Sequence, residues 1–479
     1  MAAFDERVFK ANDIRGTYPG QLSEGFAYRL GTSAVKGLGA RRVAIGRDCR
    51  LSSPALYAAL ARGIRDAGGS VGALGLCPIE LLYYVAGTRP EFDLLVMVTA
   101  SHNPPEHNGF KVLGRGATPL DDAAGLGALC RYVGESNVPV PDSFDAPATD
   151  LKAEEEYMRF ALDVAGAPDV SRLKVVADPG NGTGGILWQL LAKALAFQPV
   201  AMNFEPDGRF PAHHPNPAKP ANIEPLRRRV FDEKADLGFA HDGDAYRTVA
   251  MLADGHLLDG GEMIVALIER LFGGRASAPC AVSMVASRKA LDFLRARGTD
   301  PLIVPVGHMK VRRIMQARPE LTFGGEQSGH YFYRQFFCCE SSLITTLHLM
   351  HLAAAGRLQG LTRGLPGPWI SPAEEPEFHF ARQADAVATC RAAACAAVER
   401  FPRPLEIMCE EGGRVRRRSS PADAAKADGI RVDYKDWWFA MRPSGTEPLA
   451  RLTVEARSED EARSKQQALS EVFEAHRVG

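Results

Sequence analysis

The chain has 479 residues, 46% hydrophobic and 24% charged, with 57 Lys+Arg against 58 Asp+Glu and a formal net charge of −1. Near-neutrality removes the electrostatic argument for a nucleic-acid or anionic-membrane partner, so any anion selectivity must be local. The length exceeds one ordinary core and predicts several domains of roughly 100–150 residues, and nine cysteines without CxxC spacing fit reduced thiols better than a disulfide framework.

In chain order, the first segment, MAAFDERVFKANDIRG, is charged within five residues and lacks the apolar stretch of a signal sequence. No uninterrupted apolar run approaches the roughly 18 residues of a membrane span. A soluble, cytoplasmic protein is the expectation. Three segments then repeat one order of strand, polar Gly-containing loop and helix. RRVAIGRD (41–48) precedes a helix predicted over 53–67, LKVVADPGNGTGG (173–185) one reaching 196, and PCAVSMVAS (279–287) one reaching 297. Strands alternating with helices imply βαβ units and doubly wound sheets.

Pro-rich polar stretches at 134–150 and 363–375 read as linkers, and a weaker boundary falls at 254–261. Four domains follow: 1–150, 151–255, 256–365 and 366–479. The last has a helical Ala-rich stretch (384–400) and strand-like pieces at 429–433, 437–442 and 449–456, the pattern of a small α+β domain. The predicted fold class is α/β: three similar doubly wound mixed-sheet α/β domains plus a smaller C-terminal α+β domain, around a central cleft.

Four loops, one per domain, carry chemistry. The apolar strand LLVMV ends in Thr99-Ala100-Ser101-His102-Asn103-Pro104-Pro105, where the C-terminus of a strand presents side chains to a crevice. Ser101 reads as a nucleophile or phosphate carrier or as a turn serine, with His102 and Lys111 at hand for protons and charge. Asp242-Gly243-Asp244-Ala245-Tyr246-Arg247 again follows a strand, and close carboxylates attract a hard cation such as Mg²⁺, although DGD also makes hairpin turns. Gly324-Gly325-Glu326-Gln327-Ser328-Gly329-His330 offers the mixed donors and acceptors that suit a polyhydroxylated ligand, with a plain Gly-rich turn as the alternative. Arg442-Pro443-Ser444-Gly445-Thr446-Glu447-Pro448 clusters a guanidinium, two hydroxyls and the NH groups of a Gly-containing bend, which together can cradle phosphate. Arg414 to Arg418 reads as a solvated loop or strand edge, and adjacent His213 and His214 on an extended segment face opposite sides and make a poor metal pair.

The ordered set TASHNPPEHNGFK, DGDAYR, GGEQSGH and RPSGTEP resembles the α-D-phosphohexomutase family, most of all its phosphomannomutase/phosphoglucomutase branch. FKANDIRG, GRDCRLSS, DPGNGTGG, FPAHHPNP and PVGHMKVRR extend the resemblance over nearly the whole chain. The resemblance implies that phosphorylated Ser101 exchanges its phosphoryl group with a hexose phosphate, moving phosphate between C1 and C6 through a bound hexose 1,6-bisphosphate. It implies that Ser101, Asp242 and Asp244 hold Mg²⁺, while Lys111, Arg15 and His102 manage charge and protons. Arg247, His308, Glu326, Ser328 and His330 would contact the sugar phosphate, and Arg442, Ser444, Gly445 and Thr446 would grip the phosphate that is not reacting. Partners would thus be small-molecule sugar phosphates, with no nucleic acid and no membrane; oligomeric state is silent.

The chain departs from that family at four places. Tyr246 stands where a third aspartate is usual, and a phenol of pKa about 10 is a poor Mg²⁺ ligand. Val285 replaces a usual lysine, Met309 a usual serine, and Asn12 an aromatic residue. Alternatives to an active mannose or glucose mutase are a weakly catalytic sugar-phosphate-binding paralogue with a regulatory role, a phosphoglucosamine mutase, and a phosphoserine-dependent phosphatase or a mutase for an unusual sugar.

Overall fold

The computed structural model describes residues 5–10, 13–120, 125–273, 278–372, 374–418, 426–444 and 447–478. The chain divides into two units, Met1–Leu258 with Ser328–Gly360, and Asp259–Gln327 with Leu361–Gly479.

In the first unit, Leu94–Val98 is buried at all five positions, which explains its unbroken apolar sequence. The strand Arg42–Arg47 runs parallel to it and to Ser70–Leu76. His107–Gly114 returns antiparallel beside Leu94–Val98, and Ile14–Thr17 closes that side, antiparallel to His107–Gly114. The sheet is therefore mixed, and its turn at 99–106 carries Ser101.

The helices Glu24–Lys36 and Ser53–Asp66 pack against each other through small residues. Ser23 caps the first by accepting a hydrogen bond from the Phe26 amide. A Cβ on Gly31 would overlap the Leu60 carbonyl, and one on Gly63 the Tyr28 carbonyl, so the helices touch backbone to backbone there.

A second sheet, in the order Thr248–Leu252, Leu237–His241, Val175–Asp178, Val200–Ala201, is parallel except for its first strand. The antiparallel return of Thr248–Leu252 makes residues 242–247 a hairpin loop, in which His241 pairs with Thr248. The antiparallel pair Tyr331–Tyr333 and Cys339–Glu340, followed by the helix Ser342–Ala354, completes this unit's framework.

In the second unit, Leu302–Val304, Cys280–Ser283 and Phe323–Gly325 form a parallel set. Here the sequence reading needs correction: Gly324 and Gly325 are strand residues, not the start of a turn. A Cβ at Gly325 would crowd Ile264 on the helix Gly260–Phe272, so glycine is required by close packing. The C-terminal part is a six-stranded antiparallel sheet, Glu377–His379, Leu449–Ala456, Trp437–Pro443, Gly429–Asp433, Glu406–Glu411, Arg414–Arg418, accompanied by the helices Gln383–Arg400 and Glu459–Ala475. Arg414–Arg418 is its edge strand, as the charge run suggested, and charged edges discourage pairing with other chains. All nine cysteines are thiols. Among the described residues no helix is long and apolar enough to cross a membrane.

Because the Gly63 contact leaves no room for a methyl group, Gly63→Ala should lower unfolding free energy by about 1–3 kcal/mol. Thermal melting followed by circular dichroism reads this; an unchanged Tm would mean that the helix pair separates without cost.

Candidate active site

Ser101 lies at the tip of the turn between Leu94–Val98 and His107–Gly114, fully buried. Its φ of 53° is the left-handed conformation, which costs a non-glycine residue about 1–3 kcal/mol. The compensation comes largely from one side chain. Arg50, also fully buried, donates from Nη2 to the carbonyls of Ser101 (2.8 Å) and Asn103 (2.7 Å), and from Nη1 to those of Pro104 (2.6 Å) and His107 (3.0 Å). Hydrogen bonds from a charged donor contribute about 1.5–3 kcal/mol each, so four of them outweigh the strained backbone. Asp48 balances the guanidinium, its Oδ2 3.1 Å from Arg50 Nε. The same carboxylate accepts from Ser53 Oγ (2.5 Å) and Thr99 Oγ1 (2.7 Å), and the Ser101 amide donates to Thr99 Oγ1 (2.9 Å). Arg50, Asp48 and Thr99 had no assigned role in the sequence reading. Their only signal was membership of two segments that resemble the family, GRDCRLSS for Asp48 and Arg50 and TASHNPPEHNGFK for Thr99.

The hairpin loop 242–247 meets this turn. Ser101 Oγ donates to Asp242 Oδ2 at 3.0 Å, and Asp242 Oδ1 accepts from the amides of Tyr246 and Arg247 at 3.1 Å each. Strand register places Lys111 opposite Met97, and its ammonium reaches Asp244 Oδ2 at 2.8 Å. Thr99 Oγ1 lies 3.2 Å from the same oxygen. Tyr246 turns its ring under Lys111, with Nζ 3.6 Å from the ring centroid, a cation–π contact. Arg15, across the sheet from Gly109, donates to Asn103 Oδ1 (2.9 Å) and Asp13 Oδ2 (2.5 Å).

Electrostatics follow from this packing. Burial and the neighbouring Asp244 push Asp242 up to about 6. Burial opposes the charge of Lys111, yet Asp244 beside it holds the group above its ordinary lysine value. His102 goes the other way, since burial together with Arg247, Arg15 and Lys111 drives it well below its ordinary value. At neutral pH it is an uncharged imidazole, with Nδ1 3.2 Å from Ser101 Oγ.

In the same unit, Arg247 Nε donates to His330 Nε2 at 3.2 Å and stands 3.8 Å from Asp242 Oδ2. That bond makes Nε2 an acceptor, so Nδ1 carries the proton toward Ser328 Oγ at 2.9 Å. Ser328, His330, Arg247 and Asp242 thus form one polar chain from the SGH segment to the serine. His213, read as loop structure, places Nε2 3.2 Å from Asp178 Oδ2 and Nδ1 3.0 Å from the His214 carbonyl oxygen.

In the second unit, Glu326 Oε1 accepts from the Gly307 amide at 2.8 Å, fixing the carboxylate against the start of the helix His308–Ala317. Arg442 lies at the end of Trp437–Pro443, and its Nε is buried without a hydrogen-bond partner among the described residues. Ser444 donates its amide to the Leu449 carbonyl (2.7 Å) and accepts at Oγ from the Glu447 amide (3.3 Å). Gly445 and Thr446, like Asn12, lie outside the described residues. Val285 and Met309 are both buried.

Comparison with known proteins places this geometry. Four consecutive family models match, described as phosphoglucomutase/phosphomannomutase alpha/beta/alpha domain I over residues 6–127, domain II over 155–255, domain III over 259–365, and C-terminal domain over 397–472. A relative named "Phosphohexose mutases" from Xanthomonas campestris pv. campestris is 30% identical over 467 residues, spanning 94% of this chain and 95% of the relative. The chain belongs to the α-D-phosphohexomutase family. An Escherichia coli "Phosphomannomutase" is 30% identical over 460 residues, covering 94% of this chain and 95% of that one. The crystal structure of a phosphoglucomutase/phosphomannomutase family protein from Burkholderia thailandensis has a TM-score of 0.81 at 27% identity, over 99% of this chain and 98% of that chain.

Phosphohexomutases use Mg²⁺, and the residues present suit it. Ser101 Oγ, Asp242 and Asp244 are an all-oxygen donor set, and Asp244 Oδ1 is buried without a hydrogen-bond partner among the described residues, an acceptor left at a desolvation cost of about 1–3 kcal/mol. The set has two carboxylates, and the side chain at 246 is the tyrosine whose ring seats Lys111.

Exchanging that seat for a carboxylate adds a ligand and removes the cation–π contact. Tyr246→Asp should therefore tighten Mn²⁺ binding about tenfold or more, measured by titrating the electron paramagnetic resonance signal of free Mn²⁺. Equal or weaker binding would mean that the side chain at 246 does not face the ion.

Proposed function

We propose that this chain is a phosphohexomutase that interconverts hexose 1-phosphate and hexose 6-phosphate, with Ser101 as the phosphate carrier. The observation that carries the reading is the buried Ser101 hydroxyl, 3.0 Å from Asp242, in a turn whose four carbonyls are clamped by Arg50. The names of the relatives, phosphohexose mutase and phosphomannomutase, favour hexose phosphates as substrates.

Phosphoryl transfer depends on positioning and on charge neutralisation more than on covalent help from the protein. With phosphate on Ser101, Lys111 and Arg15 offer positive charge beside it, and Arg50 keeps the serine backbone from retreating. Mg²⁺, held by the seryl phosphate, Asp242 and Asp244, would neutralise phosphoryl charge. When Ser101 attacks the bisphosphate to regain its phosphate, its hydroxyl proton must leave. His102, uncharged and 3.2 Å from Oγ, accepts it while the sugar oxygen that gives up the phosphoryl group takes a proton from solvent; in the opposite transfer the attacking sugar hydroxyl releases its proton to solvent as His102 returns one to Oγ. Lys111, charged and paired with Asp244, acts as an electrostatic group. Arg247, Ser328, His330, His308 and Glu326 serve as sugar-phosphate contacts, and Arg442, whose Nε has no partner among the described residues, Ser444, Gly445 and Thr446 as grips for the idle phosphate. The reaction belongs to the cytoplasm, where sugar phosphates are made.

A second reading, a sugar-phosphate-binding protein with little turnover, rests on Tyr246 in the place of a third aspartate. Intact mass spectrometry after incubation with glucose 1,6-bisphosphate and Mg²⁺ separates the two. We expect one added phosphate on the wild-type chain and none on Ser101→Ala, with glucose 1-phosphate or mannose 1-phosphate converted to the 6-phosphate. Absence of both phosphate and turnover, with sugar phosphate still bound in calorimetry, would support the second reading.

A further inference from the structure

A buried carboxylate that the reaction does not touch lies behind the 242–247 loop. Glu80, in the first turn of the helix Ile79–Thr88, is fully buried. Its Oε2 accepts from the Tyr157 hydroxyl and from Ser341 Oγ (2.9 Å), and its Oε1 from the amides of Ser342 (2.5 Å) and Leu343 (3.3 Å). All four donors are neutral. Burial pushes this carboxyl up to about 7 even though each donor favours the anion. A side chain held at such a cost, on the N-terminus of the helix Ser342–Ala354, fixes where that helix begins.

Both partners of this bolt also hold the carboxylate loop. The Ile79 amide, next to Glu80 in the chain, donates to the Asp244 carbonyl at 3.1 Å. Ser342 Oγ, one residue from the capping Ser341, donates to the Ala245 carbonyl at 2.9 Å. Ala245 has φ 58°, a left-handed non-glycine residue that needs such external support. Asp242 and Asp244 therefore take their positions from a loop pinned on two successive carbonyls by elements that Glu80 joins.

We propose that Glu80 is a positioning residue for the Asp242–Arg247 loop, setting the carboxylates against Ser101 through the Ile79 and Ser342 hydrogen bonds. The inference deepens the mutase reading and rests on it for its kinetic consequence, but its structural consequence can be measured separately. Groups that hold metal-ligating side chains in place through hydrogen bonds commonly change affinity or activity by about 10–100-fold when removed.

The test compares Glu80→Ala, Glu80→Gln and Ser342→Ala in the full chain. Hydrogen exchange read by mass spectrometry reports the Ala245, Tyr246 and Arg247 amides, and intact mass reports the rate at which Ser101 takes phosphate from glucose 1,6-bisphosphate. Glu80→Ala should speed exchange at 245–247 and slow phosphate uptake about 10–100-fold with little change in KM. Glu80→Gln, whose carbonyl oxygen can still accept from the Ser342 amide, should recover most of both. Ser342→Ala, which cuts only the bond to Ala245, should speed exchange at 245–247 without loosening residues 80–83. Wild-type exchange at 245–247 in a folded Glu80→Ala protein overturns the proposal, and if that variant does not fold, wild-type exchange in Ser342→Ala does so. A wild-type chain that takes no phosphate contradicts the mutase reading and leaves the exchange data to judge Glu80.

Discussion

Two carboxylates, Asp242 and Asp244, with one residue between them, are taken fully out of water and set beside a serine hydroxyl. Removing an ion from water costs several kcal/mol after relaxation, so such a pair stands only where opposite charge and hydrogen bonds surround it. Lys111 supplies the nearest charge, 2.8 Å from Asp244, and Arg247 a second, 3.8 Å from Asp242. Two amides of the same loop complete Asp242. The remaining site follows from this need: Lys111 must sit on the strand beside Leu94–Val98, Tyr246 must turn its ring to that ammonium, and the loop must bend through Ala245. The geometry that makes the carboxylates tolerable is also the geometry that presents them to phosphate.

The serine turn obeys a parallel rule with the signs exchanged. Arg50 is a fully buried cation whose fork is spent on four backbone carbonyls and one carboxylate. Lysine, a point charge with three donors, could not span those acceptors. A turn held this way loses little entropy when phosphate is transferred, which is what a reaction governed by positioning requires. Rigid turn and pinned loop belong to one unit, so the reacting oxygen and its neighbouring carboxylates share a single framework.

Much of this was legible in the sequence where the signal is local. Leu94–Val98 reads as a buried strand because all five residues are apolar, and the alternation of strands and helices gives the α/β class. Ser101, Lys111, Asp242 and Asp244 were singled out because motif and order survive in one dimension, and the structure brings the four together. Arg50 was not, since an arginine that bonds carbonyls fifty residues away looks like any charged loop residue. Glu80 escaped for the same reason: its donors come from residues 157 and 341–343. Tyr246 stood out as a departure from the family pattern but not as a seat for Lys111, because ring orientation depends on the return of the strand Thr248–Leu252. Gly324 and Gly325 were misread because glycine serves both tight turns and tight packing, and only the position of Ile264 decides which.

Lys111 is a resident cation, kept charged by Asp244 and by the Tyr246 ring. The most direct test of that charge is a pH titration of the wild-type protein labelled with ¹³C at the lysine ε-carbon and followed by heteronuclear NMR, with the Lys111 signal assigned through Lys111→Arg. The account predicts that Lys111 stays protonated past the ordinary lysine value of about 10.4. A midpoint near neutrality would show an uncharged amine beside Asp244 and contradict the charge balance on which the site is built.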